Sequence, residues 1–401
     1  MTSTSEISQE IISTIKSTSN LEQMTVAEAT QEQFRLVDSI SRVLGSDQIF
    51  FEDYGQERSL GVGAFGSGGR PIATAKVEEV LSHFLGTEDT VLVHGAGTGS
   101  IRAMLSFLEP GSNIILHSGL PYKTTVATLH RMAIKSNPVD FNHESELRNI
   151  LENDQMNGIL IQHVPHQFGD NYNIQQIIGL ARTLRGGAFP IFVDDNYAAM
   201  RSKKIGVQMG ASASALSLFK LLARANIGCV SGKQEIVTRI RQDSASAGSQ
   251  VQGPDAMDAL RSIVYAPVAL AIHNLVVIDA CIEINRLISV GEVDLLAEAI
   301  PGPAAARSIV LVFKNPIAEN FLQSVWRNGS PSRSVGEEAR YDLLPLFTYI
   351  AGTYLKSNPL LKDYVIRVNP LRGGTATITR ILKSAVEDSR FQSEIKALVS
   401  A

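Results

Sequence analysis

The chain has 401 residues, 44% of them apolar and 19% charged, and carries a formal net charge of −4 at pH 7. This is the composition of an ordinary globular protein long enough for two or three domains, and it excludes the basic footprint of a nucleic-acid-binding protein. With two cysteines, no basic N-terminal start and no run of about 18 apolar residues, we expect a cytoplasmic chain without a disulfide framework, signal peptide or membrane span.

The first 60 residues are predicted to form an N-terminal segment with one helix. Residues 1–20 are rich in serine and threonine, and we expect them to be frayed. A capping box at Thr25 and Glu28 opens a helix whose apolar residues recur at helical spacing. Farther along, the five glycines within residues 61–69 predict a long loop close to a functional site.

Residues 61–290 alternate between short apolar runs and amphipathic helices, which predicts a large α/β domain. Apolar strands that alternate with helices form a mainly parallel sheet covered on both faces. The apolar runs of residues 213–219 and 227–230 are close enough together to be adjacent strands joined by a hairpin. The other predicted strands of this domain are residues 91–93, 114–116, 159–161 and 191–193.

A long helical region over residues 253–290 predicts a connection to a second domain, residues 291–401. There the pattern restarts with a strand at 309–313, followed by a helix, a strand at 365–368 and one final helix over 375–399. We therefore expect a smaller α/β domain at the C-terminus.

Lys220 lies in the apolar run of residues 213–222. An ammonium group buried without a partner costs several kcal/mol, and the usual escape is a lowered pKa and a neutral amine. A neutral amine is a nucleophile that forms Schiff bases with carbonyl compounds. The alternative is a lysine at the end of a core strand whose ammonium group reaches water.

Residues 93–100 (VHGAGTGS) form a glycine-rich turn between a predicted strand and a predicted helix. Such a turn directs free backbone N–H groups and a helix dipole at an anion, usually a phosphate. A dinucleotide site would need glycine in place of Ser100 and an acidic residue after the next strand, which instead ends at His117. The turn therefore indicates a phosphate group other than that of a dinucleotide.

Two adjacent carboxylates, Asp194 and Asp195, follow the buried strand of residues 191–193. Side chains at the end of a strand in an open α/β sheet face the crevice where ligands bind. Successive strand residues point to opposite faces, so only one of the two carboxylates can reach a given ligand. Twenty-five residues separate Asp195 from Lys220.

The chain carries a glycine-rich phosphate turn, then an acidic residue after a strand, then a lysine in the next apolar run. This order resembles that of the aspartate-aminotransferase-like superfamily of pyridoxal 5′-phosphate enzymes, in its cystathionine-lyase-like and class V aminotransferase-like branches. The resemblance implies fold type I, which is a mainly parallel seven-stranded sheet flanked by helices in a large cofactor-binding domain, plus a smaller α/β C-terminal domain. It also implies an amino-acid substrate and a homodimer with the site at the interface.

By this resemblance, Lys220 forms the Schiff base with the cofactor and then acts as the general base. Residues 195–197 are similar to an aspartate-asparagine-aromatic motif of the superfamily, so Asp195 is expected to hold the pyridine nitrogen, with Asp194 as its rival. Tyr122 takes the position of a tyrosine stacked on the cofactor ring, or is simply the first-turn residue of its helix. The residues expected to contact the phosphate are Gly97, Thr98 and Ser217, the last of which lies three residues before the lysine.

Further candidates have open alternatives. His163 or His166 could hydrogen-bond the phenolate oxygen of the cofactor, or either could be a satisfied structural histidine. Arg367 is similar to the C-terminal arginine that binds the substrate carboxylate, since a charged residue inside an apolar strand needs an anionic partner. Arg372 is the second candidate for that role. The residues interpreted as structural, with no metal-ligand spacing among them, are His94, His117, Cys229 and Cys281.

More narrowly, the chain resembles the YhfS-like family. The shared stretches, which together extend over nearly the whole chain, are residues 33–40, 95–102, 194–200, 219–221, 248–250 and 329–337 onward. This resemblance implies the fold and the cofactor but brings no known substrate.

Two departures from the lyase branch favour transamination. The Tyr-x-Arg pair that this branch uses before a Gly-Asn-Pro turn is absent from residues 65–71, and Phe219 stands where a hydroxyl usually precedes the lysine. We therefore expect an aminotransferase, with a β- or γ-lyase of sulfur or other amino acids as the alternative. The third hypothesis is a regulatory protein that binds pyridoxal phosphate without turnover.

Overall fold

The structure is a computed structural model that describes residues 3–18, 22–45, 70–119, 121–164, 167–244, 249–302, 308–336 and 338–399. The loop predicted at residues 61–69 lies outside these ranges. The chain forms two compact units. The large unit contains residues 22–164 and 172–270, and the small unit contains residues 1–21, 165–171 and 271–401. The division by sequence had placed its boundaries at residues 60 and 290.

Seven strands form the sheet of the large unit within the described ranges. They are β1 (Asp89–His94), β2 (Asn113–His117), β3 (Lys135–Val139), β4 (Gly158–Gln162), β5 (Ile191–Asp194), β6 (Ala213–Leu216) and β7 (Ile227–Gly232). Their order is β1-β7-β6-β5-β4-β2-β3, and of these only β7 runs antiparallel to its neighbours. The predicted mainly parallel seven-stranded sheet is therefore confirmed. Strand β3 was not predicted from the sequence, because it is a polar edge strand that contains Pro138.

Helices cover both faces of this sheet. In chain order they are α2 (Val26–Leu44), α3 (Ile72–Leu85), α4 (Ala96–Leu105), α5 (Lys123–Arg131), α6 (Glu144–Leu151), α7 (Ile174–Arg185), α8 (Gln234–Asp243) and α9 (Gly253–Ile263), after α1 of the small unit. The predicted capping box of α2 is confirmed, because Thr25 accepts from the Glu28 backbone and Glu28 accepts from the Thr25 backbone.

Strand β5 separates two helix layers. Phe192 shares a core cluster with Met104 of α4, whereas Val193 shares a different cluster with Ile177 of α7. Both strand residues are 0% exposed. Alternate residues of β5 therefore point to opposite sides, which we name the α4 face and the α7 face.

Helix α10 (Ala266–Ser289) follows α9 and is long and apolar enough to cross a membrane by length and composition alone. The sequence-based expectation that no stretch reaches this threshold is therefore wrong. The core helix of a globular protein passes the same test, so this finding is weak evidence for a membrane span.

The small unit contains an antiparallel sheet in the order β10-β11-β9-β8. Its strands are β8 (Leu296–Pro301), β9 (Ile309–Phe313), β10 (Leu346–Tyr349) and β11 (Val365–Asn369), and its later helices are α11 (Ala318–Arg327), α12 (Gly352–Ser357), α13 (Leu361–Tyr364), α14 (Thr375–Glu387) and α15 (Ser389–Val399). The single final helix predicted over residues 375–399 is in fact two. Asp388 interrupts it with an extended ψ of 116°, and its carboxylate accepts a hydrogen bond from the Phe391 backbone N–H.

The N-terminal residues form helix α1 (Thr4–Ser17) instead of the frayed segment that we expected. A capping box between Ser3 and Glu6 opens the helix. Three isoleucines at helical spacing are buried in the core of the small unit, namely Ile11, Ile12 and Ile15. The serine and threonine content concealed this apolar stripe, which stabilises the helix by tertiary packing.

Replacing Ile15 with alanine should lower the free energy of unfolding by about 3 kcal/mol, because the deleted atoms leave a cavity in a packed core. Ile15 is 1% exposed, so little relaxation into solvent is available. Urea unfolding followed by circular dichroism measures the change. Gln9→Ala, on the exposed face of the same helix, is the matched control and should change the free energy by less than about 0.5 kcal/mol. Equal, small effects of both substitutions would contradict the packing of α1.

Candidate active site

Lys220 lies in a short 3-10 turn, Leu218–Leu221, that follows β6. Strand β6 ends at Leu216, so the lysine is not on the strand that the apolar run predicted. Its Nζ donates a hydrogen bond of 2.8 Å to the hydroxyl of Tyr197 and lies 4.0 Å from the centre of that ring. The ammonium group is therefore held by an aromatic hydroxyl at a fixed position.

Tyr122 belongs to the same group of side chains. Its hydroxyl lies 3.3 Å from the hydroxyl of Tyr197, so Tyr197 connects Tyr122 to Lys220. Tyr122 immediately precedes α5 as its N-cap residue. Sequence analysis selected Tyr122 and Lys220 but gave Tyr197 no role of its own beyond its place in the aspartate-asparagine-aromatic motif and in the shared stretch 194–200. The signal for Tyr197 was present, because it is the aromatic residue just after the strand that ends in two carboxylates.

The glycine-rich turn leads directly into α4, as predicted. Gly95 has a φ of 93°, and α4 begins at Ala96, so Gly97 and Thr98 belong to its first turn. A Cβ on Gly97 would lie 2.6 Å from Asn196 Oδ1, which shows how closely the side chain of Asn196 approaches the turn. Because first-turn N–H groups lack intrahelical partners, this end of α4 can bind an anion.

Ser217 lies at the end of β6, beside α4. Ser100 of α4 donates a 2.8 Å hydrogen bond to the carbonyl oxygen of Leu216, which fixes the helix to this strand end. The Ser217 side chain is buried, and its Oγ has no hydrogen-bond partner among the described residues. The same holds for Asn196 Oδ1. Buried polar atoms without partners are rare and indicate a missing ligand or water.

Asp195 is completely buried on the α7 face. Its Oδ1 lies 2.5 Å from Nδ1 of His163, and its Oδ2 accepts a 2.9 Å hydrogen bond from the backbone N–H of Gly206. The histidine proposed for the phenolate oxygen of a cofactor is thus placed against a carboxylate. His166, the alternative, lies outside the described residues.

Asp194 differs from its neighbour in exposure and electrostatics. It is partly exposed, and its Oδ1 accepts a 3.1 Å hydrogen bond from the backbone N–H of Asn196. The pKa of the Asp194 carboxyl is raised to about 6, because burial and, to a smaller extent, the negative charge of Asp195 outweigh the Asn196 backbone N–H and the positive charge of Lys220, which lower it. Across the sheet, Asp194 is in register with Gln162, whose buried Nε2 has no partner among the described residues.

The two candidate arginines belong to the small unit. Arg367 lies on β11, in register between Val310 of β9 and Thr348 of β10, and is partly buried. Arg372 follows this strand, and its Nη1 donates to the carbonyl oxygen of Leu371. Burial lowers the pKa of the Arg372 guanidinium, although nearby carboxylates raise it.

The residues interpreted as structural have ordinary surroundings. Burial raises the pKa of both thiols, Cys229 and Cys281, to about 12, so neither is an activated nucleophile. His117 Nδ1 accepts from the Phe141 backbone N–H, and His94 Nε2 lies 3.2 Å from the carbonyl oxygen of Gln250. In the described parts of the chain, no three histidine, cysteine, aspartate or glutamate side chains are grouped as metal ligands.

Known proteins resemble this chain along nearly its whole length. The protein YhfS of Escherichia coli (strain K12) is 35% identical over 368 residues, which are 91% of this chain and 98% of that protein. A family model described as the YhfS-like C-terminal domain matches residues 282–382. The crystal structure of YhfS from Escherichia coli, described as pyridoxal-5′-phosphate dependent, has a TM-score of 0.84 at 34% identity and covers 92% of this chain and 99% of that chain.

More distant structures share the fold. A cystathionine gamma-lyase from Micromonospora echinospora has a TM-score of 0.63 at 14% identity, covering 80% of this chain and 88% of that chain. The cystathionine gamma-lyase from yeast has a TM-score of 0.61 at 13% identity, covering 79% and 87%. The expected fold type I is therefore confirmed. At these identities the two lyases are evidence for the fold alone.

Asp194→Asn should remove a pH dependence from the stability of the cofactor-free protein. The pKa of this carboxyl rises from its ordinary 3.8 to about 6 on folding, so the folded state holds the proton more tightly than the unfolded state. The parent should therefore lose stability as the pH rises from about 4 to about 6, by about 3 kcal/mol, and stay lower above that window. The asparagine variant should lack this loss.

Urea unfolding of the cofactor-free protein between about pH 4 and pH 8 measures the difference, because this range covers the window between the two pKa values and extends above it. Asp154→Asn removes a fully exposed carboxylate of the same unit and is the control. It should keep the pH dependence of the parent. A pH dependence of stability that persists in Asp194→Asn would mean that burial does not raise the pKa of this carboxyl.

Proposed function

The chain belongs to the YhfS-like family, and from that premise we propose that it is a pyridoxal 5′-phosphate-dependent aminotransferase that acts on an amino acid through Lys220. The observation that carries this proposal is the hydrogen bond of 2.8 Å between Lys220 Nζ and Tyr197. It holds an amine at a fixed position in a turn that packs against α4, the helix with the glycine-rich N-terminus. The cofactor dependence described for YhfS of Escherichia coli supports the same conclusion.

The residues present fit the phosphate of this cofactor. The first turn of α4 can offer the backbone N–H groups of Gly97 and Thr98 to an anion, because first-turn N–H groups lack intrahelical partners. Ser217 Oγ is a buried hydroxyl without a partner among the described residues, and phosphate oxygens would satisfy it. The residues that would hold the phosphate are thus Gly97, Thr98 and Ser217.

When bound, pyridoxal phosphate supplies an electron sink for the negative charge that develops at the substrate Cα. The chain supplies the attachment point and the proton transfers. Lys220 would be the attachment point of the cofactor, and its amine, when free, would remove the proton from the substrate Cα. Tyr197 orients Nζ through its hydroxyl, and the hydroxyl of Tyr122 lies 3.3 Å from that of Tyr197. By the resemblance, Tyr122 would stack on the ring of the cofactor.

Transamination is supported by the sequence departures from the lyase branch. Phe219 contributes no hydroxyl next to Lys220, and residues 65–71 lack the Tyr-x-Arg pair. Elimination of a β or γ substituent begins with the same removal of the Cα proton, so lyase activity is the alternative outcome of the same machinery. The cytoplasmic location and the homodimer with the site at its interface stay predictions from composition and from the resemblance.

We assign the substrate carboxylate to Arg367. This guanidinium is a charged group on a strand whose neighbours in sequence, Ile366 and Val368, are fully buried, which limits the directions in which it can point. Guanidinium groups bind carboxylates through two parallel hydrogen bonds, so such a residue selects amino acids over simple amines.

The attachment of the cofactor at Lys220 can be tested directly. The parent protein, incubated with pyridoxal phosphate and reduced with borohydride, should carry the cofactor on Lys220 in a peptide mass map. Lys220→Ala should carry none, because the attachment point is gone. Lys135→Ala, an exposed lysine on β3, is the matched control and should be labelled like the parent.

The same preparations test turnover. With a panel of amino acids and a keto-acid acceptor, the parent should form the keto acid of the donor without releasing ammonia, and Lys220→Ala should be about 10³-fold slower. Release of ammonia would indicate that the protein catalyses elimination and not transamination. A cofactor reduced onto a different lysine would contradict the proposal. Cofactor on Lys220 without turnover of any amino acid would favour the regulatory alternative.

Arg367→Ala should weaken amino-acid binding by about 100-fold, because a bidentate charge-assisted pair in a closed site contributes a few kcal/mol. Spectral titration of the cofactor-loaded protein measures the affinity. Cofactor attachment and the reaction with amines that lack a carboxylate should be unchanged.

Arg372→Ala is the matched control, and a thermal melt of both variants checks that they fold. If Arg372→Ala loses amino-acid affinity and Arg367→Ala keeps it, the two arginines exchange roles. If Arg367→Ala loses the cofactor as well as the amino acid, this arginine has a structural role and does not bind the carboxylate.

A further inference from the structure

We propose that Asp194, and not Asp195, is the carboxylate that contacts the pyridine nitrogen of the cofactor. This inference rests on the proposed function and deepens it. Sequence resemblance favoured Asp195 because the shared motif is an aspartate followed by asparagine and an aromatic residue. Asp194 was left as its rival, and the geometry of the two carboxylates now separates them.

The two side chains leave the sheet on opposite faces. Asp194 is two residues beyond Phe192 and so belongs to the α4 face, whereas Asp195 is two residues beyond Val193 and belongs to the α7 face. Gly206 supplies an independent check. A Cβ on Gly206 would lie 2.4 Å from Val193 Cβ, and the Gly206 backbone N–H donates to Asp195 Oδ2. Val193, Gly206 and the Asp195 carboxylate therefore lie together, under the helices of the α7 face.

The phosphate turn and the lysine are on the side of Asp194. Asn196, whose backbone N–H donates to Asp194 Oδ1, is the residue whose side chain lies against Gly97 in the first turn of α4. The charge of Lys220 stabilises the ionised form of Asp194, which places the amine within electrostatic reach of this carboxylate. A ligand bound between the α4 turn and Lys220 thus meets Asp194 first.

The side chain of Asp195 already has hydrogen-bond partners inside the protein. Both of its oxygens are hydrogen-bonded, one with His163 and the other with the Gly206 backbone N–H, and the residue is 0% exposed. Turning this carboxylate toward a ligand would leave a buried backbone N–H and a buried imidazole without partners. Its backbone carbonyl also accepts from Ala198 and Ala199, so Asp195 shapes the turn that carries Tyr197. We assign Asp195 and His163 a positioning role.

The chemistry of Asp194 suits a pyridine nitrogen. A partly desolvated carboxylate is stabilised when a protonated ring nitrogen arrives beside it. In return, the negative carboxylate keeps that nitrogen protonated, which strengthens the electron sink of the ring. The buried amide of Gln162, in register with Asp194 on the same face, has a donor available for the same ring or carboxylate.

The test uses pyridoxal phosphate labelled with ¹⁵N in the ring, bound to the parent, Asp194→Asn and Asp195→Asn, with the ¹⁵N chemical shift as the readout. We expect the protonated-nitrogen shift in the parent and its loss in Asp194→Asn. Asp195→Asn should keep the protonated shift and instead lower the unfolding temperature of the cofactor-free protein. In Asp194→Asn the unfolding temperature near neutral pH should not fall.

Three outcomes overturn the inference. They are a protonated nitrogen in Asp194→Asn, loss of the protonated shift in Asp195→Asn alone, and an unprotonated nitrogen in the parent. If Asp195→Asn does not fold, the Asp194→Asn spectrum decides by itself. Borohydride reduction of the same samples separates this result from a failure of the proposed function, because attachment of the cofactor at Lys220 is scored independently of the protonation of the ring.

Discussion

Strand β5 is buried on both faces, and the candidate site depends on that constraint. Phe192 packs under α4 and Val193 packs under α7, so the strand cannot rotate about its own axis where it ends. Two aspartates in succession must then leave the sheet on opposite sides. Asp195 is buried among its hydrogen-bond partners on the α7 face, and Asp194 lies on the α4 face, toward Lys220.

Polar groups at the site are held by partners that also define its shape. Lys220 donates to Tyr197, Tyr197 lies beside Tyr122, and Asp195 accepts from the backbone of Gly206. Each of these contacts offsets the desolvation of a polar group inside the protein. These partners hold the polar groups of the candidate site in fixed positions, which is the preorganisation that catalysis by electrostatic stabilisation needs.

The fold alone does not specify which reaction a protein of this kind catalyses. Similarity to YhfS extends over 98% of that protein, whereas the lyases of the same fold are 13% to 14% identical to this chain. Fold type I supports many reactions of pyridoxal phosphate because the cofactor supplies the difficult chemistry and the protein selects among its outcomes. Selection depends on side chains around Lys220 and on the residue that binds the substrate carboxylate, not on the sheet.

The sequence by itself determined the parallel sheet, the glycine-rich turn before α4, the lysine and the adjacent carboxylates, because these depend on local periodicity and on residue type. It did not predict the polar edge strand β3, and it misjudged helix α1, whose stability comes from isoleucines packed in the small unit. Nor could it choose between Asp194 and Asp195, since both follow the same strand. Only the tertiary structure decided which face each one meets, because the identity of a face depends on the helices packed against it.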